Sequence, residues 1–142
     1  MPCLIALDPG REKCGYAVLD FDGSLLEKGI VPAAETGALV GRLMHHGPEL
    51  LVLGKGTASH ECHEKIRELQ PSLKILLVDE RNTTYEARRR YFRENPPTGF
   101  WKYIPQGLQY PPVPIDDFAA WLIGEKFLAK ERDSRLPVKS GK

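Results

Sequence analysis

The sequence has no apolar run approaching the ~20 residues that a membrane-spanning helix needs. It has no disulfide framework either: its three cysteines, Cys3, Cys14 and Cys62, are odd in number and far apart, as expected of reduced thiols. Nor is there an excess of charge, since 20 Lys and Arg face 19 Asp and Glu, so net charge alone points to no polyanion. The opening Met-Pro-Cys-Leu-Ile lacks the basic region and cleavage site of a secretory signal, and a cytoplasmic location is the expectation. What is present is ordinary globular material. The 142 residues are 42% hydrophobic and 27% charged, enough for one core without covalent staples. One domain is expected over residues 1–131, followed by a flexible basic tail, 132–142.

Although the total charge is nearly balanced, its distribution is not. Residues 81–93 carry Arg81, Arg88, Arg89, Arg90 and Arg93 against Glu86 alone. Residues 126–142 carry six Lys and Arg against Glu131 and Asp133. Such stretches suit a nucleic-acid backbone, and equally suit solvated helix faces.

Apolar runs and turns alternate through the first thirty residues: Cys3 to Asp8, Tyr16 to Asp20, the Asp22-Gly23 pair, then Ser24 to Val31. Asp-Gly between two such runs predicts a hairpin. From Ala33 to His46, Leu39, Val40, Leu43 and Met44 fall on one helical stripe, which Gly47-Pro48 stops. Leu50 to Leu53 reads as a strand covered on both faces, Ser59 to Leu69 as a helix, and Lys74 to Val78 as a fifth strand. Thr83-x-x-Glu86 has the spacing of a capping box and opens a helix to about Glu94. Residues 95–114 hold six prolines with Phe100, Trp101, Tyr103 and Tyr110, a loop long enough to be functional or mobile. A last helix is expected from Ile115 to Lys130. The order βββαβαβα, completed by that helix, predicts an α/β domain with a mixed five-stranded sheet.

In such a sheet the functional crevice lies beyond the carboxyl ends of the parallel strands. Asp8 ends the first strand beside the Pro9-Gly10 turn, Glu80 follows the fifth, and Asp116 and Asp117 open the last helix. Each has a plain structural role available: turn chemistry for Asp8, pairing with Arg81 or Arg88 for Glu80, capping for the two aspartates. Gathered at one edge they would repel one another unless a divalent cation joined them. Oxygen ligands of this kind suit Mg²⁺ or Mn²⁺, and a pair of such ions about 4 Å apart promotes phosphodiester cleavage. Arg81, Arg88, Arg89 and Lys55 are candidates for contacts to the nucleic-acid backbone. His60, Cys62 and His63 lack the geometry of a zinc site on one helix, because His60 and His63 share a face that Cys62 does not. Gly54-Lys55-Gly56-Thr57 lacks the full P-loop spacing. A sugar-kinase-like ATPase would need a second similar domain, for which 142 residues leave no room.

Three blocks of the sequence carry a resemblance: Leu-Asp-Pro-Gly-Arg-Glu-Lys-Cys-Gly-Tyr-Ala-Val-Leu-Asp from Leu7, Val-Asp-Glu-Arg-Asn-Thr-Thr-Tyr-Glu-Ala-Arg-Arg-Arg from Val78, and Asp-Asp-Phe-Ala-Ala-Trp-Leu-Ile from Asp116. In that order they resemble the signature blocks of the YqgF/RuvX family over roughly residues 3 to 130. The resemblance implies an RNase H-like fold with helices on both faces of the sheet. It also implies a metal-dependent endonuclease, most readily one that processes pre-16S rRNA during ribosome biogenesis. The alternatives are a Holliday-junction resolvase, which would act as a homodimer, or a catalytically silent nucleic-acid-binding module. The acidic triad would fall on Asp8, Glu80 and Asp116, the last standing three residues before Ala119, with Asp117 as a further metal ligand. RNA is the expected partner ahead of DNA. Two features differ from the family pattern: Gly54-Lys55-Gly56-Thr57 where a Gly-Leu-Pro turn is common, and the longer proline-aromatic segment.

Overall fold

A computed structural model describes residues 2–56, 58–79, 83–96 and 115–135. Five strands, β1 (Cys3–Pro9), β2 (Lys13–Asp20), β3 (Leu25–Pro32), β4 (Leu50–Gly54) and β5 (Lys74–Val78), form one sheet in the order β3-β2-β1-β4-β5. The first three make an antiparallel meander, whereas β4 lies parallel to β1 and β5 parallel to β4. The expected mixed sheet is therefore observed. Among the described residues four α-helices accompany it: α1 (Thr36–Leu43), α2 (Ser59–Leu69), α3 (Thr83–Glu94) and α4 (Asp116–Arg135). No helix among the described residues is long and apolar enough to cross a membrane.

Period-two alternation divides β1 between two cores. Cys3, Ile5 and Leu7 face α1 and α2, where they meet Leu39, Val40, Leu43 and Ile66. Leu4 and Ala6 face α4, where they meet Ala120, Ile123 and Leu128. Covered on both sides, the strand must be apolar throughout until Asp8. Gly124 lets α4 lie flush on the sheet, since a Cβ there would come within 2.8 Å of Leu19 Cδ1 and 3.3 Å of Ala6 Cβ. A second seam joins α4 to α3: Ala87, Phe118, Ala119 and Leu122 are buried together. The apolar residues of α4 thus serve two neighbours, with Ala120 and Ile123 on the sheet and Phe118, Ala119 and Leu122 toward α3.

The Asp22-Gly23 hairpin forms as its residues predict. Gly23 takes φ 96°, its N–H donates to the Asp20 carbonyl, and Asp22 Oδ1 accepts from the Ser24 N–H at 2.8 Å. Gly47, at φ 68°, ends the helical segment as expected. That segment is not one continuous α-helix over 33–46. Two 3-10 turns, Ala33–Glu35 and Met44–His46, flank α1, and the Thr36 hydroxyl donates back to the Ala33 carbonyl where the first gives way to it. The strand β2 starts at Lys13 rather than Tyr16, because pairing with β1 continues out to Pro9 opposite Cys14. The helix α4 runs to Arg135, past the expected Lys130, so the first residues of the segment expected as a tail are helical and the remainder, 136–142, lies outside the described residues.

Candidate metal centre

Asp8 is the last even-numbered residue of β1 and so belongs to the face covered by α4. Its partner across the hairpin is Gly15. A Cβ on Gly15 would stand 2.0 Å from the Asp116 carbonyl oxygen and 2.3 Å from its carbon, so the first turn of α4 rests directly on the glycine backbone. This close approach sets Asp116 beside Asp8. Burial, and then the negative charge of Asp116, push the Asp8 carboxyl up from 3.8 to about 6. Two carboxylates meeting in a partly buried place favour either a proton or a cation between them. Hard oxygen donors of this kind fit Mg²⁺ or Mn²⁺.

Asp117 has different surroundings. Its Oδ2 lies 2.9 Å from Lys28 Nζ, with the carboxylate side chain only 13% exposed, and its Oδ1 accepts the Phe118 N–H at 2.9 Å. Lys28 also sits 4.2 Å from the centre of the Phe118 ring. The two adjacent acids of α4 are therefore divided between tasks: Asp116 stands next to Asp8, and Asp117 ties the helix start to β3.

Glu80 and Arg81 lie outside the described residues, as do the aromatics of 97–114. The strands leading to Glu80 are described. Leu7 pairs with Leu53, and Gly54 with Val78, in parallel registers, so β1, β4 and β5 end at the same edge of the sheet. Lys55 follows β4 there, exposed, its backbone N–H donating to the Val78 carbonyl at 2.9 Å. No group of three or more His, Cys, Asp or Glu able to hold a metal occurs among the described residues, and this applies to His60, Cys62 and His63 as well.

Part of the basic stretch serves the fold. Arg90 makes a two-pronged contact with Glu125, 2.7 Å for the shorter bond, while lying over the Trp121 ring at 4.5 Å. Lys126 pairs with Glu86 at 2.5 Å. Both pairs join α3 to α4. Arg88 is half-buried and Arg89 exposed on α3, and both engage other groups of the chain. The capping box expected at Thr83 involves side chains outside those described. Sequence reasoning passed over Gly15 and Lys28 as parts of the site. Gly15 was detectable as a glycine inside an otherwise apolar strand, a usual mark of close backbone approach. Lys28 carried no such signal, because its contact with Asp117 joins residues 89 apart in the chain.

No family model matches the chain, and no curated protein matches it in sequence. Solved structures do resemble it. A structure of Thermus thermophilus RuvC superposes with a TM-score of 0.61 at 13% identity, covering 94% of this chain and 97% of that one. A second, of T. thermophilus RuvC in complex with a Holliday junction substrate, gives 0.57 at 14% identity, covering 92% and 96%. At such identities the likeness is one of architecture, and it shows that this chain has the RNase H-like fold.

Proposed function

We propose that the chain is a metal-dependent endonuclease of the YqgF/RuvX type, hydrolysing phosphodiester bonds of structured nucleic acid, with precursor ribosomal RNA as its substrate. The observation that carries this reading is the meeting of Asp8 and Asp116 at the strand edge of an RNase H-like sheet. Asp8, Asp116 and Glu80 are the residues to hold Mg²⁺ or Mn²⁺. Such ions, when bound, activate water and stabilise the leaving oxygen. The chain's own contribution is positional. Gly15 fixes the separation of the two aspartates, Lys28 anchors the helix start through Asp117, and β5 ends at the same edge at Val78, two positions before Glu80 in the sequence. No side chain is required as a nucleophile. Arg81, Arg88, Arg89 and Lys55 are the proposed contacts to the nucleic-acid backbone. A second reading, cleavage of four-way DNA junctions, is favoured by the likeness to a solved RuvC in complex with a Holliday junction substrate. It would require a two-fold dimer to cut symmetric strands.

The test is cleavage of precursor-type structured RNA, single-stranded RNA and four-way DNA junctions with Mg²⁺ or Mn²⁺, by the natural chain, Asp8→Asn and Glu80→Gln. The expected result is cleavage of structured RNA that both substitutions abolish. Preferential cutting of junctions selects the second reading. Equal trace activity in all three proteins overturns both, and binding without cleavage at any metal concentration leaves a silent binding module.

A further inference from the structure

A cavity of about 380 Å³ lies on the α1–α2 face of the sheet, the face opposite the aspartate pair. It begins one residue beyond Asp8, since Pro9 and Gly10 of the β1–β2 turn form part of its wall. Two structural features on opposite faces thus share one turn. The volume is in the range of small-ligand pockets, enough for one nucleotide and too little for a duplex. Much of the lining is small and weakly polar, with Ala33, Ala58, Cys14 and Cys62, while Thr36 and Glu61 present polar edges. Arg11 and Lys65 contribute two cations against the single charge of Glu61, which favours an anionic group at this site.

We infer that this pocket receives one unpaired nucleotide of the strand held at Asp8, with the base between the alanine and cysteine walls and its phosphate at Arg11 and Lys65. The inference rests on the nuclease reading and adds a preference to it: substrates with a bulged or flipped-out nucleotide next to the cleavage point. The base loses stacking when it leaves a helix, a cost smallest for a nucleotide that is already unpaired. Glu61 supplies carboxylate oxygens that can accept from the base edge, while the Thr36 hydroxyl is engaged with the Ala33 carbonyl. The link is the chain itself, because Pro9 and Gly10 of the pocket wall follow Asp8 directly.

Cys62 is half-buried in the pocket wall, whereas Cys3 and Cys14 are buried, so its modification reports occupancy without any catalysis. The experiment measures the rate at which a small neutral thiol reagent modifies Cys62 in the whole chain in EDTA. The additions are an RNA hairpin, the same hairpin with a one-nucleotide bulge, and one whose bulge is abasic; Cys62→Ser identifies the signal. The bulged hairpin is expected to slow modification by about tenfold, the effect of 1.4 kcal/mol of occupancy, with the perfect and abasic hairpins leaving it unchanged. Ala58→Leu, which fills the pocket, and Arg11→Ala, which removes a cation and leaves the alanine and cysteine walls in place, should each remove the preference for the bulge. Equal rates with all three RNAs overturn the inference. Metal-dependent cleavage without protection of Cys62 removes the pocket and keeps the nuclease reading; protection without cleavage keeps the pocket and removes the nuclease reading.

Discussion

Replacing Asp8 by asparagine should stabilise the metal-free protein at neutral pH. Burial and the charge of Asp116 carry the Asp8 carboxyl from 3.8 in the unfolded chain to about 6 in the fold. Between those values the folded state binds more protons than the unfolded one, so the contribution of Asp8 is fully present below pH 3.8 and is lost as pH rises through about 6. At 1.36 kcal/mol for each pH unit of displacement, the ionised carboxylate costs about 3 kcal/mol. Asparagine keeps the shape and removes the charge. Urea unfolding in EDTA should therefore show the natural chain losing about 3 kcal/mol relative to Asp8→Asn between about pH 4 and pH 7. Titrations shared by both proteins cancel in the difference. A divalent cation at a hundred times its dissociation constant should return about 2.7 kcal/mol to the natural chain and little to the variant. Parallel stability curves for the two proteins across this range would refute the electrostatic argument.

Gly15→Ala forces a Cβ onto the Asp116 carbonyl, and neither backbone can yield easily; a loss of about 3 kcal/mol or more in thermal or urea unfolding is expected, together with loss of divalent-cation binding. Lys28→Met removes the cation paired with Asp117 and should cost about 1–3 kcal/mol in urea unfolding. Glu27 accepts hydrogen bonds from Arg42 first, then His46 and Tyr16, which hold its carboxyl down from 4.5 to about 2. Its contribution is therefore present above pH 4.5 and lost as pH falls toward 2, and Glu27→Gln should flatten the acid limb of the stability curve measured by circular dichroism.

The fold was legible where local chemistry decides it. Gly23 and Gly47 take the positive φ that their turns need, and each turn stands where the residue allows it. The continuous apolar run from Leu50 to Leu53 marked a strand buried on both faces, and Leu39, Val40 and Leu43 marked the inner side of α1. Where tertiary contacts decide, the sequence was less informative. The start of β2 depends on pairing with Pro9. Apolar spacing also does not encode the division of α1 from its 3-10 flanks, which local hydrogen bonding sets. Asp8 and Asp116 were both identifiable as acids at element ends. Their closeness depends on Gly15, and the different fate of Asp117 depends on a lysine 89 residues away in the chain. The basic stretch from 81 to 93 looked uniform in sequence, yet Arg90 is committed to Glu125 and Trp121.

The most direct test of the central claim is the single-turnover cleavage rate of a structured RNA as a function of Mg²⁺ or Mn²⁺ concentration, for the natural chain and Asp116→Asn. The expected rate rises with metal and saturates, and drops by about 100-fold or more when Asp116 loses its charge, while Asp117→Asn keeps most of the activity. A rate independent of the metal, or one that survives at Asp116→Asn and vanishes at Asp117→Asn, would contradict it.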